Sequence, residues 1–218
     1  MESTTFFEAI AKGDLEQVRA QVQQHPALLQ TTNAQNASPL LWAIYTRQAT
    51  VRDYLREQVT QLTIFEAAAL GDLPALQQRL EPEAVNRFAP DGFTCLGLAV
   101  FLGQEAVVRW LLGQGADLNL PSNNAFQVAP IHSAAATGNL NLLKLLVESG
   151  AQVNCSQANG VTPLHSAAHL GQLEMVVYLL DRGANPSARM TDGSTPLDLA
   201  RKDQQEKVVA LLEQQPPA

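Results

Sequence analysis

His165 and His169 stand four residues apart, a spacing that on a helix puts two imidazoles on one face, as zinc ligands require. A site needs a third donor, and none lies at a suggestive distance, so no metal is expected. Cys95 and Cys155 match no metal or redox spacing, and two thiols in 218 residues make no disulfide framework. A reducing compartment is the natural setting for such a chain. Serines, histidines and aspartates are scattered, but Gly-x-Ser-x-Gly, the P-loop and Gly-x-Gly-x-x-Gly are all missing. Enzymatic activity and bound cofactors are therefore not expected.

Charge excludes further classes. The formal net charge is −7, and no basic run exceeds Arg201-Lys202, whereas nucleic-acid binding needs clustered cations to displace counterions. The longest nearly apolar stretch, Leu96 to Leu102, is far shorter than the ~20 residues of a membrane span. The first residues, Met1-Glu2-Ser3-Thr4-Thr5, lack the basic and apolar regions of a secretory leader. The sequons at Asn36 and Asn154 then read as chance matches. A soluble, cytoplasmic protein is expected, with neither nucleic acid nor membrane among its partners.

What positions these side chains is a repeat. Val161-Thr162-Pro163-Leu164-His165-Ser166-Ala167-Ala168 returns as Ser194-Thr195-Pro196-Leu197-Asp198-Leu199-Ala200 and as Ala129-Pro130-Ile131-His132-Ser133-Ala134-Ala135. The alanine of this block recurs at Ala9, Ala43, Ala67, Ala99, Ala134, Ala167 and Ala200, at steps of 34, 24, 32, 35, 33 and 33. Three residues before each stands an apolar side chain: Phe6, Leu40, Ile64, Leu96, Ile131, Leu164 and Leu197. Leu164, Ala167 and Ala168 make one stripe of a first helix, and Gly171 ends it. Leu173, Val176, Val177, Leu179 and Leu180 are the apolar face of a second helix, stopped at Gly183-Ala184. The polar stretch between units, such as 154–160, reads as a protruding loop or hairpin. One helix pair cannot bury both its faces, so units stack into a continuous slab.

Asn159-Gly160-Val161-Thr162-Pro163-Leu164-His165-Ser166-Ala167-Ala168-His169-Leu170-Gly171 resembles the ankyrin-repeat signature, most strongly over residues 90–212 and fairly over 1–55. The resemblance implies an all-α solenoid: seven stacked helix-turn-helix units with short β-hairpin fingers. It also implies binding of a partner protein through the concave face and finger tips. His132 and His165 would bond within their own leading turns, and His169 would be a lone surface residue. Stacked units stand about 10 Å apart, beyond disulfide reach, so both thiols should be free.

Departures from the pattern locate the unusual features. Cys95 and Gly97 stand where Pro163 and His165 do, loosening that turn, and Arg47 and Gln204 replace the inter-helix glycine. The 24-residue step leaves no room for a finger near 56–62, and Thr63-x-x-Glu66 repeats the capping-box pattern of Thr5-x-x-Glu8. Residues 1–218 read as one domain: a leading block 1–62 of two units, a main block 63–213 of five, and a tail 214–218 in which Pro216-Pro217 ends the last helix. Nothing else is expected outside the repeats.

By the resemblance, the side chains just before each leading turn, and the last two before each glycine, face the concave surface. The candidate partner-binding residues are Tyr45, Leu70, Phe93, Phe101, Leu102, Phe126, Val128, Val161, His169 and Leu170, with Ala69 on the same face. An apolar cluster of this extent marks an interaction site. The alternative is that Phe101 or Phe126 folds back to seal a unit or to pack the longer finger at 121–128. A stand-alone adaptor, scaffold or inhibitor, monomeric in isolation, is one expectation; an obligate subunit or assembly factor of a larger enzyme complex is the other.

Overall fold

Each unit's two apolar stripes meet as a pair of short antiparallel helices in a computed structural model, which describes residues 2–215. The pairs are α1 (Glu2–Lys12) with α2 (Leu15–Gln24), α3 (Pro39–Tyr45) with α4 (Ala49–Gln58), and α5 (Ile64–Leu70) with α6 (Leu73–Arg79). They continue as α7 (Cys95–Phe101) with α8 (Glu105–Gly113) and α9 (Pro130–Ala136) with α10 (Leu140–Glu148). The last two are α11 (Pro163–His169) with α12 (Leu173–Asp181) and α13 (Pro196–Lys202) with α14 (Glu206–Leu212). The seven expected units are all present. Met1 and Pro216-Pro217-Ala218, including the proposed stop at Pro216-Pro217, lie outside the described residues.

Local chemistry starts five of the first helices, whereas the capping box expected at Thr5-x-x-Glu8 falls inside α1, which begins at Glu2. Ser38, Thr63, Thr94, Thr162 and Thr195 accept from the backbone amide three residues on, and Glu66 and Asp198 return the bond to Thr63 N and Thr195 N. Thr94 caps Gly97, so the turn at Cys95 keeps its closure despite the lost proline and histidine. Alanines permit close stacking: Ala67, Ala68, Ala99, Ala134, Ala135, Ala167, Ala168 and Ala200 are all buried between neighbouring first helices, flanked by Leu111, Leu143, Leu146 and Leu179 of the second.

The turn between helices needs a left-handed residue. Gly71 adopts φ 77°, and a Cβ there would lie 2.3 Å from Oε1 of Gln104 in the next unit. That contact repeats along the row: Gln48, Gln104 and Gln205 cover Gly13, Gly71 and Gly171 and donate to the carbonyls of Ala11, Ala69 and His169. Arg47 and Gln204 hold the same turn at φ 58° and 57° without glycine's freedom. Left-handed backbone strains a residue that carries a Cβ. Arg47→Gly and Gln204→Gly are each expected to raise stability by about 0.5–1 kcal/mol, read as an upward shift in thermal midpoint.

A second row of side chains joins the units at the finger bases. Asn86, Asn119 and Asn154 accept from the amides of Asp117, Gln152 and Asn185 in the following unit, each at 2.8 Å. The fingers themselves differ from the β-hairpins that the resemblance implied. Each is a tight turn whose arms are joined by Asn33 N to Ala37 O, Ala89 N to Phe93 O, Ser122 N to Val128 O, Gln157 N to Val161 O, or Met190 N to Ser194 O, with a second backbone bond inside the turn, such as Gly92 N to Ala89 O. Among the described residues only an isolated antiparallel bridge, Phe88 to Thr94, has strand character. Arms this short have no room for a ladder. Instead, fingers bond to one another: Asn123 N to Gly92 O, Ala158 N to Phe126 O, and Thr191 N to Asn159 O.

Between α4 and α5 the chain crosses in five residues with no finger. Helix α3 meets α5 over a smaller contact than any other neighbouring pair of first helices. Polar side chains span this joint: Ser38 Oγ donates to buried Glu66, 2.7 Å, and Arg79 donates to Gln61, 3.2 Å.

Candidate functional site

The face lined by the first helices and the fingers gathers the candidate residues into two regions. In the first, Tyr45 and Phe101 meet edge to face with ring centroids 6.5 Å apart. Leu102 and Tyr45 pack on a small core of Ala37, Leu41 and Ala69. Ala69, expected on the surface, is buried there, because Ala37 and Leu41 pack on it and Tyr45 and Leu102 close over them. Leu70 and Leu102 line a groove of about 270 Å³ with Ile44, Arg47, Gln48 and Gln104.

The missing finger also frees Tyr45 to reach past its neighbour unit. Its hydroxyl donates to Asp91 of the next finger at 2.7 Å. Burial, then the Asp91 carboxylate, raises the phenol's pKa, so this oxygen stays protonated and donating. Asp91 continues the network, accepting from Phe93 N through its side chain and from Asn124 Nδ2 through its carbonyl. Asn124 Oδ1 in turn accepts from Ser122 Oγ and Phe126 N, and Ser122 Oγ accepts from Val128 N.

The long finger is thus pinned through its main chain while the Phe126 ring at its tip stays 67% exposed. Phe101 is 42% exposed. Neither ring folds back into the core. Phe93 does so in part: it is half-buried, with its ring 3.7 Å from where a Cβ of Gly97 would stand. Val128 is half-buried beside the finger's closing bond.

The second region lies toward the C-terminal end. Val161 and His169 line a groove of about 250 Å³ with Ser166, Leu199, Lys202 and Asp203, while Leu170 stands exposed nearby. His169 is not a lone surface residue: its Nδ1 meets Asp203 Oδ2 at 2.5 Å. Two units meet at this point, which no spacing within one unit could show.

His132 and His165 are buried and do more than close their own turns. His165 Nδ1 accepts from Thr162 N and sits 2.8 Å from its Oγ1, while Nε2 donates to Ser194 O at 3.2 Å in the next finger. His132 bonds likewise to Ala129 N and Cys155 O. With both ring nitrogens engaged, His165 cannot join His169 on a metal. Burial lowers both imidazoles' pKa and holds them neutral. Cys95 and Cys155 are free thiols, and burial pushes them up to about 12 and about 11, so neither is a ready nucleophile. Among the described residues no helix is long and apolar enough to cross a membrane.

Sequence reasoning missed Asp91 and Asn124, and it missed the bond between His169 and Asp203. Nothing in the sequence around Asp91 names Tyr45 as its partner.

A family model described as "Ankyrin repeats (3 copies)" matches residues 64–157 and again 131–216. A yeast protein, the "Probable 26S proteasome regulatory subunit p28" of Saccharomyces cerevisiae, is 24% identical over 73% of this chain and 76% of its own length. "Ankyrin repeat domain-containing protein 37" of Bos taurus is 35% identical over 41% of this chain, and the match spans 56% of that protein. "Cyclin-dependent kinase inhibitor 2A" of Monodelphis domestica is 29% identical over 54% of this chain and 66% of its own.

Proposed function

This chain belongs to the ankyrin-repeat family, and on that premise we propose that it is a protein-interaction module, binding a partner through the face around Tyr45, Leu70, Phe101, Leu102 and Phe126. The observation that carries this reading is the state of Phe126. An aromatic ring carried 67% exposed on a finger whose main chain is already hydrogen-bonded offers apolar area to a partner without the cost of ordering the backbone beneath it. Val161, His169 and Leu170 extend the face toward the C-terminal end. Two free thiols suit a reducing, cytoplasmic setting.

Whether the bound partner is inhibited, scaffolded or assembled divides two readings. The kinase-inhibitor relative favours an inhibitor or adaptor that is stable and monomeric alone. The yeast relative, similar over 73% of the chain and named as a proteasome regulatory subunit, favours a subunit or assembly factor whose apolar face is normally covered. The purified adaptor would stay monodisperse, and the orphan subunit would bind hydrophobic dyes or aggregate.

Affinity capture from the source organism, with mass spectrometry, tests the face. Replacing Phe101 and Phe126 with serine is expected to weaken capture at least tenfold, about 1.4 kcal/mol, because each buried Phe can contribute about 1.5–3 kcal/mol before association costs. The melting temperature should barely move for Phe126→Ser and fall only modestly for Phe101→Ser, whose partly exposed ring meets Tyr45 edge to face. Phe93→Ser is expected to lower it, because that ring packs over Gly97. Full-strength capture by the stable double variant would remove this face from consideration.

A further inference from the structure

The fingers follow one bonding rule that stops at two places. In each of the last three, the residue after the closing donor gives its amide to the preceding finger: Asn123, Ala158 and Thr191. The equivalent residue at 89–93, behind which no finger stands, is Pro90, which has no amide to leave unpaired. Tyr45 covers that edge through Asp91.

The first finger, 33–37, also has no finger before it, and its equivalent residue is Ala34. Ala34 is exposed, and its amide has no hydrogen bond among the described residues, while Gln35 N and Ala37 N are both taken by Asn33 Oδ1. Asn33 Nδ2 is buried without a partner. Beside this edge lies a groove of about 310 Å³ between α1 and the finger, walled by Phe7, Ala11, Ala34 and Trp42, with Glu8 on its border. One of two equivalent edges is therefore blunted and covered, and the other is open beside an apolar groove.

We propose that this N-terminal groove is a second docking site, separate from the face around Phe126, and that it takes an extended or turn segment of a partner protein. The segment supplies a backbone carbonyl to the Ala34 amide, continuing the finger-to-finger bonding of the row by one further member. An apolar side chain next to that carbonyl fills the space between Phe7 and Trp42. A neighbouring Lys or Arg meets the Glu8 carboxylate at the border.

The probe is a display library of random seven-residue peptides, selected on the full chain. Selected peptides are expected to combine an apolar residue with a Lys or Arg, and to shift the backbone amide resonance of Ala34. Ala34→Pro removes the donor by copying the residue that stands at this position in the next finger, and should weaken binding about tenfold. Ala11→Gln, which fills the groove from its half-buried wall on α1, should weaken it as much, and Phe126→Ser should leave it unchanged. Equal thermal midpoints for the variants and the parent separate lost binding from lost folding. A selection that yields no binder overturns the proposal. So do binders that Ala34→Pro and Ala11→Gln hold as tightly as the parent, or that only Phe126→Ser releases; the last result would still support the face around Phe126.

Discussion

Acidification from about pH 7.5 to about 5 is expected to lower the folding stability of this protein through His132 and His165. Both are buried and neutral, with pKa values below the 6.5 of an exposed imidazole. The unfolded chain therefore takes up protons at pH values where the folded chain cannot. The stability due to neutral burial is fully present above about pH 6.5 and is lost as the pH falls toward the folded-state values, by at most about 1.4 kcal/mol per pH unit for each ring. The cost is structural as well as electrostatic. A protonated ring cannot accept from Thr162 N or Ala129 N, so the leading turn of its unit opens while the bond to the next finger remains. Melts across this range should show a steep fall in the parent and a flatter profile in His132→Gln/His165→Gln, from a lower starting stability. Parallel profiles for the two proteins would refute the assignment.

A cut before Thr63 is expected to produce two fragments of opposite behaviour. Residues 63–218 hold five units in contact and should keep a cooperative helical melt. Residues 1–62 hold two, below the three or so that a repeat array needs to bury a continuous core, and should show little helical signal alone. The division into a leading and a main block is our proposal, and it is supported by the small α3–α5 contact and the missing finger. The main hydrophobic core runs on through the joint, from Leu40, Ala43 and Leu55 to Ala67, Ala68 and Leu76, so opening it has an apolar cost, but the α3–α5 contact is the smallest between first helices. Circular dichroism with thermal denaturation of both fragments checks this. A 63–218 fragment without a cooperative transition would defeat the two-block division.

The spacing of residues along the chain carries whatever is decided inside one helix pair. Alanines recurring at the repeat distance, with an apolar residue three before each, define the seven units, because residues three and four apart share a helix face wherever the helix stands. Thr63-x-x-Glu66 and Thr195-x-x-Asp198 announce their helix starts, since a capping box closes over four residues. The 24-residue step announces the missing finger. None of these depends on what lies beside the unit.

Contacts between units fall one repeat apart, but nothing in the chain marks which residues at that spacing bond. Gln104 reaching Ala69 O, Asn119 reaching Gln152 N, and His169 meeting Asp203 each join residues about 33 positions apart, and a polar residue at such a position looks like any solvated side chain. The burial of Ala69, the sealing of Phe93 over Gly97 and the exposure of Phe126 depend on how far one unit slides over the next. Periodicity says nothing about that slide. The open edge at Ala34 and the blunted one at Pro90 are distinguishable only once the fingers are seen side by side, because a backbone amide is the same in every residue but proline. The sequence by itself determined the helix pairs, their number and their stacking order. Which side chains of the shared face remain free for a partner was decided by tertiary packing, which sets the distances between units.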